Sequence, residues 1–142
     1  VVDNINNNYK LKRGIKIYYE NDKKNKYFVY GIENRIEQIV ANLLDNAVSF
    51  SEDNKEIVVK VSRSNDNKVL LNILDEGEGF KEKDTNKIFK RFYSNRPDKF
   101  GQHSGLGLNI VKNLVDLHNA TIKASNRVGQ KGASMEIIFP KL

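Results

Sequence analysis

Four residues at helical spacing, Gln38, Asn42, Asn46 and Ser49, carry amides and a hydroxyl where so lysine-rich a chain would more naturally place Lys and Glu. Separated by three or four positions, they stack along one side of a helix. Amides offer both donors and acceptors, and their oxygens ligate hard cations. The stripe therefore suits the floor of a site for a cation and phosphate; the polar flank of an ordinary core helix would look the same. A second stretch is Asp75-Glu-Gly77-Glu-Gly79-Phe80. Its glycines let backbone approach a flat ligand, and Asp75 can accept a hydrogen bond from an exocyclic amine of the kind adenine carries. A plain glycine turn after a strand is the other reading. The third stretch, Gly101-Gln-His-Ser104-Gly105-Leu106-Gly107-Leu108, runs into an amphipathic pattern. Free N–H groups and the positive end of a helix dipole would then meet at one spot, which favours phosphate. A flexible hinge is the alternative. In the fourth, Lys87-Ile-Phe-Lys-Arg91-Phe-Tyr93, two phenylalanines can anchor a loop while Lys90 and Arg91 face phosphate, unless it is only a short amphipathic helix.

The elements that must position these residues follow from hydrophobic periodicity. Ile36, Ile39, Val40, Leu43, Leu44, Ala47 and Phe50 recur at the spacing of one buried face, predicting a helix over 35–50 that carries the amide stripe. Residues 15–19 and 27–30 read as short strands flanking a polar turn. Residues 56–62 and 68–75 read as strands joined by an Asn65-Asp66-Asn67 turn. In the second of these Val69, Leu71 and Ile73 share a face, and Asp75 falls on it. A carboxylate there needs compensating partners. Residues 76–104 show little regular pattern beyond a short helix over 84–92, as expected of a lid or binding loop. Leu108, Ile110, Val111, Leu114, Val115 and Leu117 mark a helix, and 120–125 and 133–139 close the chain as two strands around Gly129 and Gly132. The whole of 1–142 reads as one domain, with 1–13 the remnant of an entering helix. The expected fold class is α+β, a two-layer sandwich of a mostly antiparallel sheet with helices on one face.

Composition narrows the class. A hydrophobic share of 39% beside 30% charged residues fits a soluble globular chain, and no apolar run is long enough to span a bilayer. The absence of cysteine excludes disulfides and thiolate metal sites. The net charge of +6 would suit an acidic partner, but basic residues are spread from Lys10 to Lys141. The local excess, Lys81, Lys83, Lys87, Lys90, Arg91, Arg96 and Lys99, sits in the irregular segment. A basic nucleic-acid-binding module, a less favoured alternative, would show a basic face with interleaved aromatics instead, so no nucleic-acid partner is expected.

Taken in order, Asn42-Leu-Leu-Asp-Asn46-Ala, Asp75-x-Gly77-x-Gly79, Phe89-x-x-Phe92-Tyr93 and Gly105-Leu-Gly107-Leu closely resemble the N box, first glycine box, F box and second glycine box of bacterial sensor histidine kinases. Residues 91–97 and 100–108 look most like the ChvG/ExoS type of membrane sensor kinase. The resemblance implies the Bergerat-type ATP-binding sandwich shared with gyrase, mismatch-repair ATPases and heat-shock chaperones, with ATP and Mg²⁺ as cofactors. It implies that Asn42 ligates Mg²⁺, with Asn46 beside the phosphate chain. Asp75 would bind the adenine amine, supported by Gly77 and Gly79. Arg91 and Tyr93 would reach nucleotide from an ATP lid over 76–104. Ser104, Gly105, Leu106 and Gly107 would receive the phosphates. The partners implied are the protein's own phosphoacceptor and dimerisation hairpin and a response regulator. The full-length protein would be a homodimer, with this part the cytoplasmic domain of an inner-membrane sensor.

Three departures from the family pattern stand out. Ser49 occupies a position where many members carry Lys; Lys90, Arg91 or Arg96 are candidates to compensate. Ile32 replaces a common acidic residue, which leaves capping of the helix to Gly31 or Asn34. His103 stands where a glycine often sits. Related hydrolases place a water-activating Glu one helical turn before the Mg²⁺ asparagine; here that position is Gln38, which cannot serve as a base at neutral pH. Kinase is therefore favoured over an ATP-hydrolysing clamp of the same fold, with a serine kinase of the anti-sigma type a minor alternative. Neither His103 nor His118 lies in a phosphoacceptor context; His118 reads as a helix-boundary residue. The chain should bind Mg-ATP without labelling itself.

Overall fold

The computed structural model describes residues 15–20, 27–80, 85–89 and 107–141. Among these, five strands form one sheet: β1 (Lys16–Glu20), β2 (Glu56–Arg63), β3 (Val69–Leu74), β4 (Thr121–Asn126) and β5 (Ala133–Phe139). The spatial order is β1-β2-β3-β5-β4, parallel between β1 and β2 and antiparallel elsewhere. The helices are α1 (Glu33–Phe50) and α2 (Gly107–Leu117), with a short 3₁₀ turn at Thr85–Phe89. This is the expected mixed sheet with helices on one face.

Strand parity decides the layers. Ile57 and Val59, Val69, Leu71 and Ile73, Ile122 and Ala124, and Met135, Ile137 and Phe139 are all buried, while the alternate residues are half-buried or exposed. Over the buried face α1 packs against α2 and β3, and α2 packs against β4. Ile39, Leu43, Leu44 and Ala47 from α1 meet Leu108, Val111 and Val115 from α2 in this core. Truncating Leu43 to alanine there would cost about 2–5 kcal/mol. Leu117, part of the expected apolar stripe, is instead exposed. Two residues beyond Val115 it has turned by roughly 200° around the helix axis, away from the core.

The β2–β3 turn forms as expected. Ser64 N–H donates to Lys68 O and Asn67 N–H to Ser64 O, with Asn67 in the left-handed region at φ 63°. The expectation of a strand at 27–30 is corrected, since these residues join no ladder. Their apolar alternation reflects docking rather than pairing. Tyr27 and Val29 pack against the core and Arg63 sits 5.5 Å over the Tyr27 ring, while Phe28 and Tyr30 remain exposed. Among the described residues β1 pairs with β2 alone, Ile17 opposite Ile57. Residues 1–13 and 21–26 lie outside the described residues.

The start of α1 also differs from expectation. Neither Gly31 nor Asn34 caps it; Ile32 is the N-cap, and no side-chain bond of its own closes the end. His118, just past α2, does so from across the core. Its Nε2 accepts the Ile32 N–H at 3.1 Å while Nδ1 lies 2.7 Å from Leu114 O. An Nε2 that accepts and an Nδ1 that faces a carbonyl define the neutral Nδ1–H tautomer. A Cβ on Gly31 would stand 2.6 Å from the His118 ring, so glycine admits the imidazole. His118 is thus a structural tie between the helices, more than the boundary residue its sequence position suggested.

Candidate nucleotide site

At its C-terminal end α1 meets the loop that follows β3, where Phe50 lies against Gly77 and Phe80. The amide stripe divides along its length. Gln38 and Asn42 are half-buried, Asn46 and Ser49 buried. Gln38 Oε1 accepts from the Arg35 guanidinium at 3.4 Å. Ser49 Oγ donates to Asn46 O at 2.7 Å and so turns back onto its own helix. Ser51 Oγ does the same to Ala47 O at 2.9 Å as the chain leaves the helix in extended conformation. The Asn42 side chain has no hydrogen-bond partner among the described residues, which keeps its amide available to a ligand.

Asp75 continues the inward face of β3, as its parity predicted, and is 3% exposed. Its main-chain N–H extends the ladder to Ala133 O at 3.0 Å. Its Oδ1 accepts from Gly77 N–H at 2.9 Å and from Ala133 N–H at 3.1 Å. Burial pushes the carboxyl above the usual aspartate range, and the Gly77 and Ala133 bonds and the Arg127 charge pull it partly back. With Oδ1 committed to two backbone donors, Oδ2 is the oxygen left for a ligand donor.

Close packing explains the glycines around Asp75. A Cβ at Gly77 would lie 2.4 Å from Phe50 O, so the C-terminal end of α1 rests directly on the loop. Phe50 and Phe80 meet edge to face at 6.2 Å between centroids. Gly79 has φ +82°, and its Cβ would stand 2.5 Å from Asn126 Oδ1.

The remaining candidates separate into two groups. Gly107 is the first described residue of α2, and a Cβ there would meet nothing within 4 Å among the described residues. Phe89 is buried, as expected of an anchor, and its carbonyl accepts from Asn109 Nδ2 at 3.1 Å. Lys90, Arg91, Phe92, Tyr93, Arg96, His103, Ser104, Gly105 and Leu106 lie outside the described residues. Asn109, Asn126 and Arg127 were missed from sequence. Asn126 had the same signal as Asp75, a polar residue on the inward parity of a strand end; the other two carried none.

A magnesium ion that rides on nucleotide phosphates takes most of its ligands from phosphate and water and needs few from protein. The half-buried Asn42 amide, without a partner among the described residues, fits that demand.

Residues 31–142 match the family described as histidine kinase-, DNA gyrase B-, and HSP90-like ATPase. The chain is 39% identical over 128 residues to the sensor protein ChvG of Agrobacterium fabrum, across 85% of this chain and 21% of that protein. To the sensor protein ChvG of Rhizobium meliloti it is 42% identical over 109 residues, across 75% and 19% respectively. It thus spans about a fifth of the length of these curated relatives. Among solved structures, the catalytic domain of histidine kinase ThkA in a nucleotide-free form superposes with a TM-score of 0.81 at 27% identity, over 99% of this chain and 88% of that one. The chain belongs to the histidine kinase-, DNA gyrase B- and HSP90-like ATPase family.

Proposed function

We propose that this chain binds Mg-ATP and presents the γ-phosphate to a histidine on a phosphoacceptor hairpin, the kinase step of a two-component sensor protein. The observation that carries the reading is Asp75: a buried carboxylate at a strand end, oriented by two backbone N–H groups and flanked by glycines held against their neighbours. Such a group recognises a flat base bearing an exocyclic amine. Asn42 is the Mg²⁺ ligand in this reading, and Asn46 stands one turn further along the phosphate chain. Gly107, with Ser104, Gly105 and Leu106, receives phosphate at the start of α2, and Arg91 and Tyr93 close over it from a lid spanning 76–104. Bound Mg²⁺ supplies charge neutralisation; the protein residues orient the nucleotide, which is most of what phosphoryl transfer requires.

Gln38 separates this reading from a hydrolysing clamp. It lies one turn before Asn42, and its Oε1 is engaged by Arg35, so no carboxylate occupies the place from which a base would activate water. The full-length protein is then a homodimeric inner-membrane sensor, with this chain as one cytoplasmic domain and a response regulator as the downstream partner. The test is to incubate the chain with labelled ATP and a phosphoacceptor hairpin supplied as a separate polypeptide. Acid-labile label on the hairpin histidine is the expected result. Steady phosphate release without hairpin labelling would replace kinase with clamp.

A further inference from the structure

The 75–80 loop is fastened at its far end by a residue outside the proposed nucleotide contacts. Asn126 closes β4 on the same parity as Ile122 and Ala124, but at the strand's exposed end. It pairs with Ala133, whose carbonyl in turn accepts the Asp75 N–H. Asp75, Ala133 and Asn126 therefore form the last inward row of the sheet, with only a methyl group between two polar side chains. The Asn126 amide grips the backbone of Phe80 twice: Phe80 N–H donates to Oδ1 at 2.6 Å, and Nδ2 donates to Phe80 O at 3.1 Å. One side chain thus makes the two bonds that a neighbouring strand would make. Gly79 lies tight beneath it at φ +82°, a conformation in which a side chain would strike the same amide. Arg127, the next residue, donates to Asp75 O at 3.1 Å. Adjacent residues of the β4–β5 corner therefore hold both ends of the loop.

Two glycines give this loop wide conformational freedom when it is not held. Fixing it before a ligand arrives removes an ordering cost from binding. We propose that Asn126 is a positioning residue for the base-binding loop, holding Phe80 so that Gly77 and Gly79 lie at the right height against a flat adenine ring. The inference rests on the nucleotide reading above. Asn126 itself is largely exposed, so removing its amide takes little from the core, and a role in loop geometry can be told from a role in packing.

The test compares wild type, Asn126→Ala and Asn126→Asp in the 142-residue chain. Aspartate keeps an acceptor for the Phe80 N–H and loses the donor to Phe80 O. Calorimetric titrations with Mg-ATP and Mg-GTP are read beside thermal unfolding. Asn126→Ala is expected to weaken ATP binding on the order of tenfold, with Asn126→Asp in between. The preference for ATP over GTP should narrow in the same order, because triphosphate contacts are untouched. A merely structural residue would lower the melting temperature and leave that preference alone. Unchanged ATP affinity in Asn126→Ala, or equal losses for ATP and GTP, would overturn the inference. If the alanine variant does not fold, the ATP-to-GTP ratio of Asn126→Asp decides by the same criterion. A wild type that binds no ATP overturns the nucleotide reading itself and this inference with it; a wild type that binds while both variants match it overturns only the role of Asn126.

Discussion

The base side and the phosphate side of the proposed site are built in opposite ways. On the base side the protein satisfies its own groups: Asp75 Oδ1 takes two backbone N–H groups, Asn126 takes both polar atoms of Phe80, and glycines 77, 79 and 132 sit where any Cβ would collide. On the phosphate side, among the described residues, Asn42 has no partner and Gly107 faces open space. The difference teaches how much of a site a fold can build before any ligand arrives. A preformed pocket tolerates little substitution because fold and recognition use the same atoms, whereas an open one draws its remaining contacts from the ligand.

The sharpest way to break this contrast is at Gly132. It has φ +134°, and a Cβ there would lie 2.0 Å from the Asp75 carbonyl. Gly132→Ala combines strain with a backbone clash and should destabilise the fold by about 3 kcal/mol or more, read as a fall in the unfolding midpoint in denaturant. A near-neutral result would mean that the base side is adaptable, and the comparison would fail. Asp75→Asn tests recognition apart from folding. The asparagine carbonyl can still accept from Gly77 and Ala133, so stability should hold, while the amide nitrogen replaces Oδ2 and opposes the adenine amine donor to donor. ATP affinity should fall on the order of a hundredfold, about 2.7 kcal/mol. Acidity adds a second signature. Because burial raises the Asp75 pKa, the native state holds its proton more tightly than the unfolded chain. Its contribution to stability is full below the ordinary aspartate range and is lost as pH rises through the raised value. ATP affinity should climb over that same interval, since the ionised carboxylate is the better acceptor. Both slopes should vanish in Asp75→Asn; a slope that persists would place the titrating group elsewhere.

Legibility in the sequence follows the same division. Period and parity were enough for α1, for β2 and β3 with their Asn67 turn, and for Asp75 on the buried face. These depend on local spacing and on the energetic need to partner a buried charge. The ordered boxes carried the family. What sequence did not yield were contacts between distant elements. His118 reaches across to the Ile32 N–H, and Asn109 to Phe89 O; each depends on packing that no local pattern encodes. Residues 27–30 misled for a related reason. Alternation records which side chains are covered, and a segment docked by Tyr27 and Val29 alternates as a paired strand does. Asn126 was readable by the rule applied to Asp75, and went unnoticed because an amide at a strand end prompts no question about charge.

On the phosphate side the expected effects are smaller and confined to ligand binding. Asn42→Ala removes an amide with no partner among the described residues, so stability should stay within about 0.5 kcal/mol. The gain in ATP affinity that Mg²⁺ confers should disappear, a loss on the order of tenfold. Equal ATP affinity with and without Mg²⁺ in the wild type would remove Asn42 from that role.

Gly107→Ala is the subtlest test and separates the two sides most cleanly. Beyond its own turn of helix, nothing among the described residues lies within 4 Å of the added Cβ, and alanine is the better helix former by up to about 1 kcal/mol. The fold should therefore gain stability, opposite in sign to Gly132→Ala. If phosphate comes close to bare backbone at the start of α2, the same methyl group should weaken Mg-ATP binding severalfold, on the order of 1 kcal/mol. Higher melting temperature with weaker nucleotide binding is the expected pair. A variant that is both more stable and equally good at binding would show that phosphate does not approach Gly107, and that its freedom from protein contact is only surface exposure.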